Sequence, residues 1–164
     1  MANAIDYLDW RGDVPMSISP FNEVDGLIAA KLTSLDFTGI VPSEGGAALR
    51  DAVDAYFERY GDKDVRLGVL LPPGTVTMVK KMLASKRFAG VMLYDYVNHI
   101  DDVGAEQFCA LTVSMPDGSH FVAFRGTDDT IAAWREDFNM SAHDAVPAQV
   151  DAASYLKRAG WRFD

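Results

Sequence analysis

Three alternating apolar runs lie between residues 89 and 124, and no other feature of the sequence narrows the fold as much. Ala89–His99 sets Val91, Leu93 and Val97 against Met92, Tyr94 and Tyr96, and Gln107–Met115 sets Phe108, Ala110 and Thr112 against Cys109, Leu111 and Val113. His120–Phe124 then sets Phe121 and Ala123 against Val122 and Phe124. A period of two sends successive side chains to opposite faces, so each run reads as a strand. Pro116-Asp117-Gly118-Ser119 is a tight turn between the last two, and the three strands form an antiparallel meander over about residues 89–124. The loop Ile100–Glu106 is no calcium site, because its carboxylates lack the alternate-position spacing of an EF-hand.

Ahead of the meander the apolar period becomes that of a helix. Ser19-Pro20 reads as a helix start, with Val24, Leu27, Ile28, Leu32 and Leu35 as its inward stripe. Gly39–Gly46 is a connection, and a second helix follows over about Ala47–Tyr60, with Leu49, Val53, Tyr56, Phe57 and Tyr60 inward and Gly61 as its stop. Val65–Leu71 is a short strand or extended segment, and Thr75 caps a third helix to about Lys86. Lys80, Lys81, Lys86 and Arg87 make one basic cluster, read as a solvated, dipole-matched helix end in preference to an anionic-lipid contact. Residues 1–19 read as turns, and Arg11-Gly12-Asp13 among them is a turn and not an adhesion motif.

After the meander, Pro147 opens a helix to about Ala159 with Val150, Ala153, Leu156 and Tyr155 inward, and Gly160 ends it. Trp161-Arg162-Phe163-Asp164 then reads as the start of another strand. A strand, a crossover helix and a parallel strand form a βαβ unit, so the pattern predicts an α/β fold whose mixed sheet runs from the antiparallel meander into a parallel section. The last strand is barely begun, so residues 1–164 are expected to be a single, incomplete domain.

Composition bounds the function. At 164 residues with 49% apolar content the chain can bury roughly two thirds of its unfolded surface. A net charge of −9 disfavours nucleic-acid binding, which needs clustered cations. The one cysteine, Cys109, allows no internal disulfide and points to a reducing compartment. Neither a signal peptide nor an 18-residue apolar stretch is present, and the expected location is cytoplasmic.

The densest chemistry sits at residues 120–138, HFVAFRGTDDTIAAWREDF. A strand stops at Arg125-Gly126-Thr127-Asp128-Asp129, and the spacing of Ile131, Trp134 and Phe138 predicts a short helix beyond. Such a junction leaves backbone N–H groups at its apex that can hold a developing oxyanion. FRGTDD followed by Trp134, Glu136 and Asp137 resembles the F-R-G-[ST]…W…D segment of the class 3 lipase branch of the α/β-hydrolases, closest to an uncharacterised bacterial lipase-like group. DYLDWRGD, PFNEVDGLIAAKLTSLDF, KRFAGVMLYDYVNHID, QFCALTV and VPAQVDAASYL extend the resemblance along nearly the whole chain.

That resemblance implies the N-terminal part of an α/β-hydrolase fold acting on small-molecule or lipid esters without a cofactor. It places an oxyanion donor at Thr127 and assigns Asp137 the orientation of the turn; Arg125 and Asp137 also fit a purely structural ion pair. Trp134 and Ile131 would meet the acyl chain or serve as core. The family's G-x-S-x-G nucleophile does not occur in these residues, so the chain alone is expected to be inactive.

His99, His120 and His143 read as structural, and Cys109 beside His120 is a remote nucleophile candidate. Metal and nucleotide motifs are absent from the sequence. The alternative function is a non-catalytic binding or structural α/β domain whose open sheet edge takes a partner or a second copy of itself.

Overall fold

Two helices begin the chain, each started by an asparagine. The computed structural model describes residues 3–62, 74–101, 106–125 and 147–163. Asn3 caps α1 (Ala4–Arg11): its side chain accepts from the Ile5 and Asp6 amides at 2.8 and 3.1 Å, and the Asp6 carboxylate accepts from the Asn3 amide at 2.9 Å. Asn22 and Asp25 repeat this reciprocal box at the start of α2 (Glu23–Ala30). Each box satisfies amides that a helix start would otherwise leave unpaired. A 3₁₀ turn, Lys31–Ser34, extends α2, and α3 (Leu49–Tyr60) and α4 (Thr75–Ala84) follow.

The sheet is four-stranded and antiparallel throughout, in the order β1 (Gly46–Ala48), β2 (Met92–Asp101), β3 (Glu106–Ser114), β4 (His120–Arg125). Helices α1 to α4 cover one face. There Leu93, Leu111 and Val113 join Ile28, Leu32, Phe37, Val53 and Met82 in one continuous buried cluster. Among the described residues one helix, α5 (Pro147–Phe163), lies on the opposite face, where Phe108 and Ala110 meet Tyr155 and Ala159.

The register of β2 slips between Tyr94 and Val97, and Asp95 stands at φ 55° inside this bulge. The extra residue inverts the alternation. Leu93 faces the large cluster before the bulge and Tyr96 faces it after, whereas simple alternation had set them on opposite sides. Asp95 is held in the left-handed conformation by bonds to distant elements: its side chain accepts from the Gly45 amide at 3.0 Å and from Arg162 Nε at 2.9 Å.

The meander stands as expected, but the parallel βαβ unit does not: among the described residues every strand pair is antiparallel. Residues 161–163, expected to open a strand, continue α5 through Gly160. The reason is tertiary. Phe163 stacks on the His120 ring at 3.8 Å and meets Tyr94 edge-on, while Arg162 pairs with Asp95, and these contacts outweigh the roughly 1 kcal/mol that a helical glycine costs.

Other boundaries move for similar reasons. Residues 4–11, read as turns, are helical because the Asn3 box starts them. The helix expected from Ser19-Pro20 starts at Asn22, and its Val24 and Leu27 are exposed. Likewise Tyr60, Val150 and Leu156, expected inward, are exposed. The expected strand at Val65–Leu71 lies outside the described residues.

The basic cluster is a solvated helix end only in part: Lys80 and Lys86 are exposed, whereas Arg87 is buried. Lys80 and Lys81 pair with Asp62 and Asp9, and Arg87 is 0% exposed. The Arg87 guanidinium pairs with the equally buried Asp25 and donates to the carbonyls of Val14, Ser19 and Pro20. The Asp25 carboxylate holds Arg87 above its ordinary pKa against the opposing effect of burial. Tyr7 donates to the same carboxylate and Asn22 donates to Tyr7, so this cluster ties the segment before α2 to the end of α4.

Candidate functional site

The end of β4 is a polar corner in an apolar sheet. Asn98, Cys109 and Arg125 lie side by side across β2, β3 and β4. Partners in adjacent strands share a face, so the three side chains form one row. Arg125 donates to Asn98 Oδ1 at 2.8 Å and to the Thr33 carbonyl at 3.3 Å. Cys109 sits under the same carbonyl, with Sγ 3.8 Å from it, and the Tyr96 hydroxyl donates to the Leu35 carbonyl at 3.2 Å.

Asn98 is usable as an acceptor because its amide can donate elsewhere, and Asp36 lies beside it. Burial raises the Asp36 pKa, but bonds from Thr38, Tyr60 and Asn98 outweigh it and hold the carboxyl below its ordinary value. Among the described residues Arg125 is bonded by neutral oxygens only. Its positive charge therefore stands fixed in place, one residue before Gly126.

Thr127, Asp137, Trp134 and Ile131, the four residues the sequence singled out, all lie outside the described residues, as does the helix expected near Ile131–Phe138. What the structure adds is the setting of Arg125. Thr33, Asp36 and Asn98 had no place in the sequence reading, although a polar Asn within a strand is the kind of residue that signals a fixed bonding role.

Cys109 and His120 do not meet. Cys109 pairs with Arg125 and points into the large cluster; His120 pairs with Ser114 on the other face, where its Nδ1 lies 2.8 Å from the Ser114 hydroxyl. Burial pushes the Cys109 thiol up, only partly opposed by Arg125, and a neutral buried thiol is a poor nucleophile. Among the described residues no cluster of His, Cys, Asp and Glu could hold a metal ion, and no helix is long and apolar enough to cross a membrane.

The family model that matches this chain is Mbeg1-like, over residues 82–164, which is 83 of the 164 residues. No curated protein and no solved structure matches. The match corrects the class 3 lipase and α/β-hydrolase assignment, because it spans β2, β3, β4 and the FRGTDD segment on which that resemblance rested. An arginine and a glycine that close a strand serve local backbone geometry in many contexts, so so short a segment does not separate one family from another.

Proposed function

The chain belongs to the Mbeg1-like family, and for it we propose a part in ester cleavage: it supplies the oxyanion-binding turn of a site whose serine nucleophile comes from outside these 164 residues. One observation carries the reading. Arg125 is anchored by Asn98 and the Thr33 carbonyl, bonded by neutral oxygens only among the described residues, and directly precedes Gly126-Thr127. A fixed cation beside a glycine turn favours the negative charge that develops on an ester carbonyl during acyl transfer.

In this reading the Thr127 amide donates to the oxyanion and Asp137 orients the turn. Trp134 and Ile131 contact the acyl group of a small-molecule or lipid ester. Asn98 and Thr33 are positioning residues, acting through Arg125. The experiment is intact mass on the product of the native locus, followed by labelling with a fluorophosphonate. A mass above 18.0 kDa with one labelled serine beyond Asp164 is the expected result. In such a product Arg125→Gln should lower kcat toward the roughly 10²–10³-fold loss of one oxyanion interaction, whereas Thr127→Gly keeps the backbone N–H and should cost less. An 18.0 kDa product that takes no label sinks the reading.

A second reading rests on a different observation. Among the described residues β4 is bonded on one side only, by β3. An unpaired strand edge is a template for another strand, so a non-catalytic domain that binds a partner or a second copy through β4 is the alternative. An unlabelled product that elutes as a dimer and returns to monomer on Val122→Pro favours it.

A further inference from the structure

We propose that the groove between the loop at residues 38–44, the bulged part of β2 and the C-terminal half of α5 binds a small molecule bearing one oxyanion, carboxylate or phosphate, through the guanidinium of Arg158. The proposal rests on this groove alone and does not depend on the ester-cleaving reading.

Two cavities meet there. One, of about 480 Å³, is lined by Val41, Pro42 and Val97 on an apolar side and by Asn98, His99 and Arg158 on a polar side. The other, of about 420 Å³, is bounded by Ser43, Glu44, Asp95, Arg158 and Arg162. Ser43 and Arg158 belong to both, so Arg158 stands where the two join. The volumes lie within the roughly 300–1,000 Å³ of small-molecule sites, and an apolar wall with a few convergent polar groups is their usual make-up.

Two arginines reach this region from successive turns of α5, and their charges are treated differently. Arg162 is spoken for, because it pairs with Asp95, which also holds the Gly45 amide. Arg158 has no carboxylate partner among the described residues; its guanidinium carbon lies 5.7 Å from the centre of the Tyr155 ring. That ring is itself fixed, with its hydroxyl 2.8 Å from the Thr112 hydroxyl and 3.4 Å from the Tyr94 carbonyl. A planar cation resting on an immobile aromatic face keeps its N–H edge free for a bidentate oxyanion and loses little freedom on binding.

The Ser43 hydroxyl and the Asn98 amide are additional donors within the groove wall, and Val41, Pro42 and Val97 suit a short apolar body on the ligand. Glu44 is the opposing charge, since it borders the same space.

The test is a ¹H–¹⁵N NMR titration of the whole chain with butyrate and, separately, with inorganic phosphate, at constant ionic strength against a sodium chloride control. Saturable shifts at the Ser43 and His99 amides and at Arg158 Nε are expected with at least one probe. Saturation by butyrate alone assigns a carboxylate ligand, and saturation by phosphate alone assigns a phosphate. Arg158→Gln should weaken binding about tenfold or more, the loss of a charged hydrogen bond. Glu44→Gln should tighten it by removing the like charge. Shifts no larger than those with chloride for both probes, or unchanged affinity in Arg158→Gln with the core amide spectrum intact, overturn the proposal.

Discussion

The two faces of the sheet are built on different principles. One carries a continuous apolar cluster supplied by four helices, with Leu93, Leu111 and Val113 enclosed on all sides. Among the described residues the other is covered by α5, which buries Tyr155 and Ala159 against Phe108 and Ala110 and also attaches through polar and aromatic contacts at its edge. The first face holds by volume and the second by a few directed bonds. Area buried scales with free energy, so the first should dominate stability and the second should open first.

The largest test addresses the ion pair that closes the first face. Asp25→Ala leaves the Arg87 charge buried without its partner and should cost about 3–5 kcal/mol, read as a fall in the denaturant midpoint. A loss under about 1 kcal/mol would show that water reaches Arg87 and that the face is looser than its packing implies.

Next in size is Leu111→Ala, which empties a fully buried site and should cost about 2–5 kcal/mol. It should destabilise the whole fold, and hydrogen exchange should report it equally at β2, β3 and α3 amides. A loss confined to β3 amides would break the picture of one cooperative face.

Tyr155→Phe removes the hydroxyl bond to Thr112 and should cost about 1 kcal/mol, appearing first as faster exchange in α5. It also changes the response to alkali. Burial is the main cause that pushes Tyr155 up to about 12 from 10.0, so the folded state keeps its proton where the unfolded state has lost it. That stability is fully present below pH 10.0 and drains away as pH rises toward about 12. The variant should lack this component, seen as a flatter difference in melting temperature between pH 9.5 and 11.5, a window of about two units.

Smallest are Val150→Lys and Leu156→Lys. Both side chains are exposed on α5, at 57% and 49%, and each change should fall within about 0.5 kcal/mol. A larger loss at either would mean that α5 is covered by something on its outer face.

The meander was legible because alternation and the Asp117-Gly118 turn are local signals, and the structure keeps the turn and, outside the bulge in β2, the alternation. The chain before it was legible only in part. Helix α1 depends on a capping Asn whose partner is three residues away, and an Asn among turn-formers carries little signal. The Arg87–Asp25 pair joins residues 62 apart, a relation that no periodicity contains, and it buries one cation of a cluster whose lysines stay at the surface. The strand expected after Gly160 failed because ring and ion contacts to the sheet prolong α5, whereas helix-stop rules see only neighbours in sequence. At the candidate site the expected turn after Arg125 lies outside the described residues, and the anchors of Arg125 on β2 and after α2 came only with the register.

The bulge at Asp95 gives β2 a change of phase, and with it two grammars in one strand. Upstream, odd positions such as Val91 and Leu93 belong to the large cluster; downstream, even positions such as Tyr96 and Asn98 share that side. Deleting one residue there would restore a tidy alternation and still be ruinous, since it would carry Asn98 away from Arg125 or Leu93 out of the core. The irregular residue thus couples two requirements that a regular strand could not meet together: an apolar beginning that secures the fold, and an amide at the far end that holds Arg125 at the end of β4.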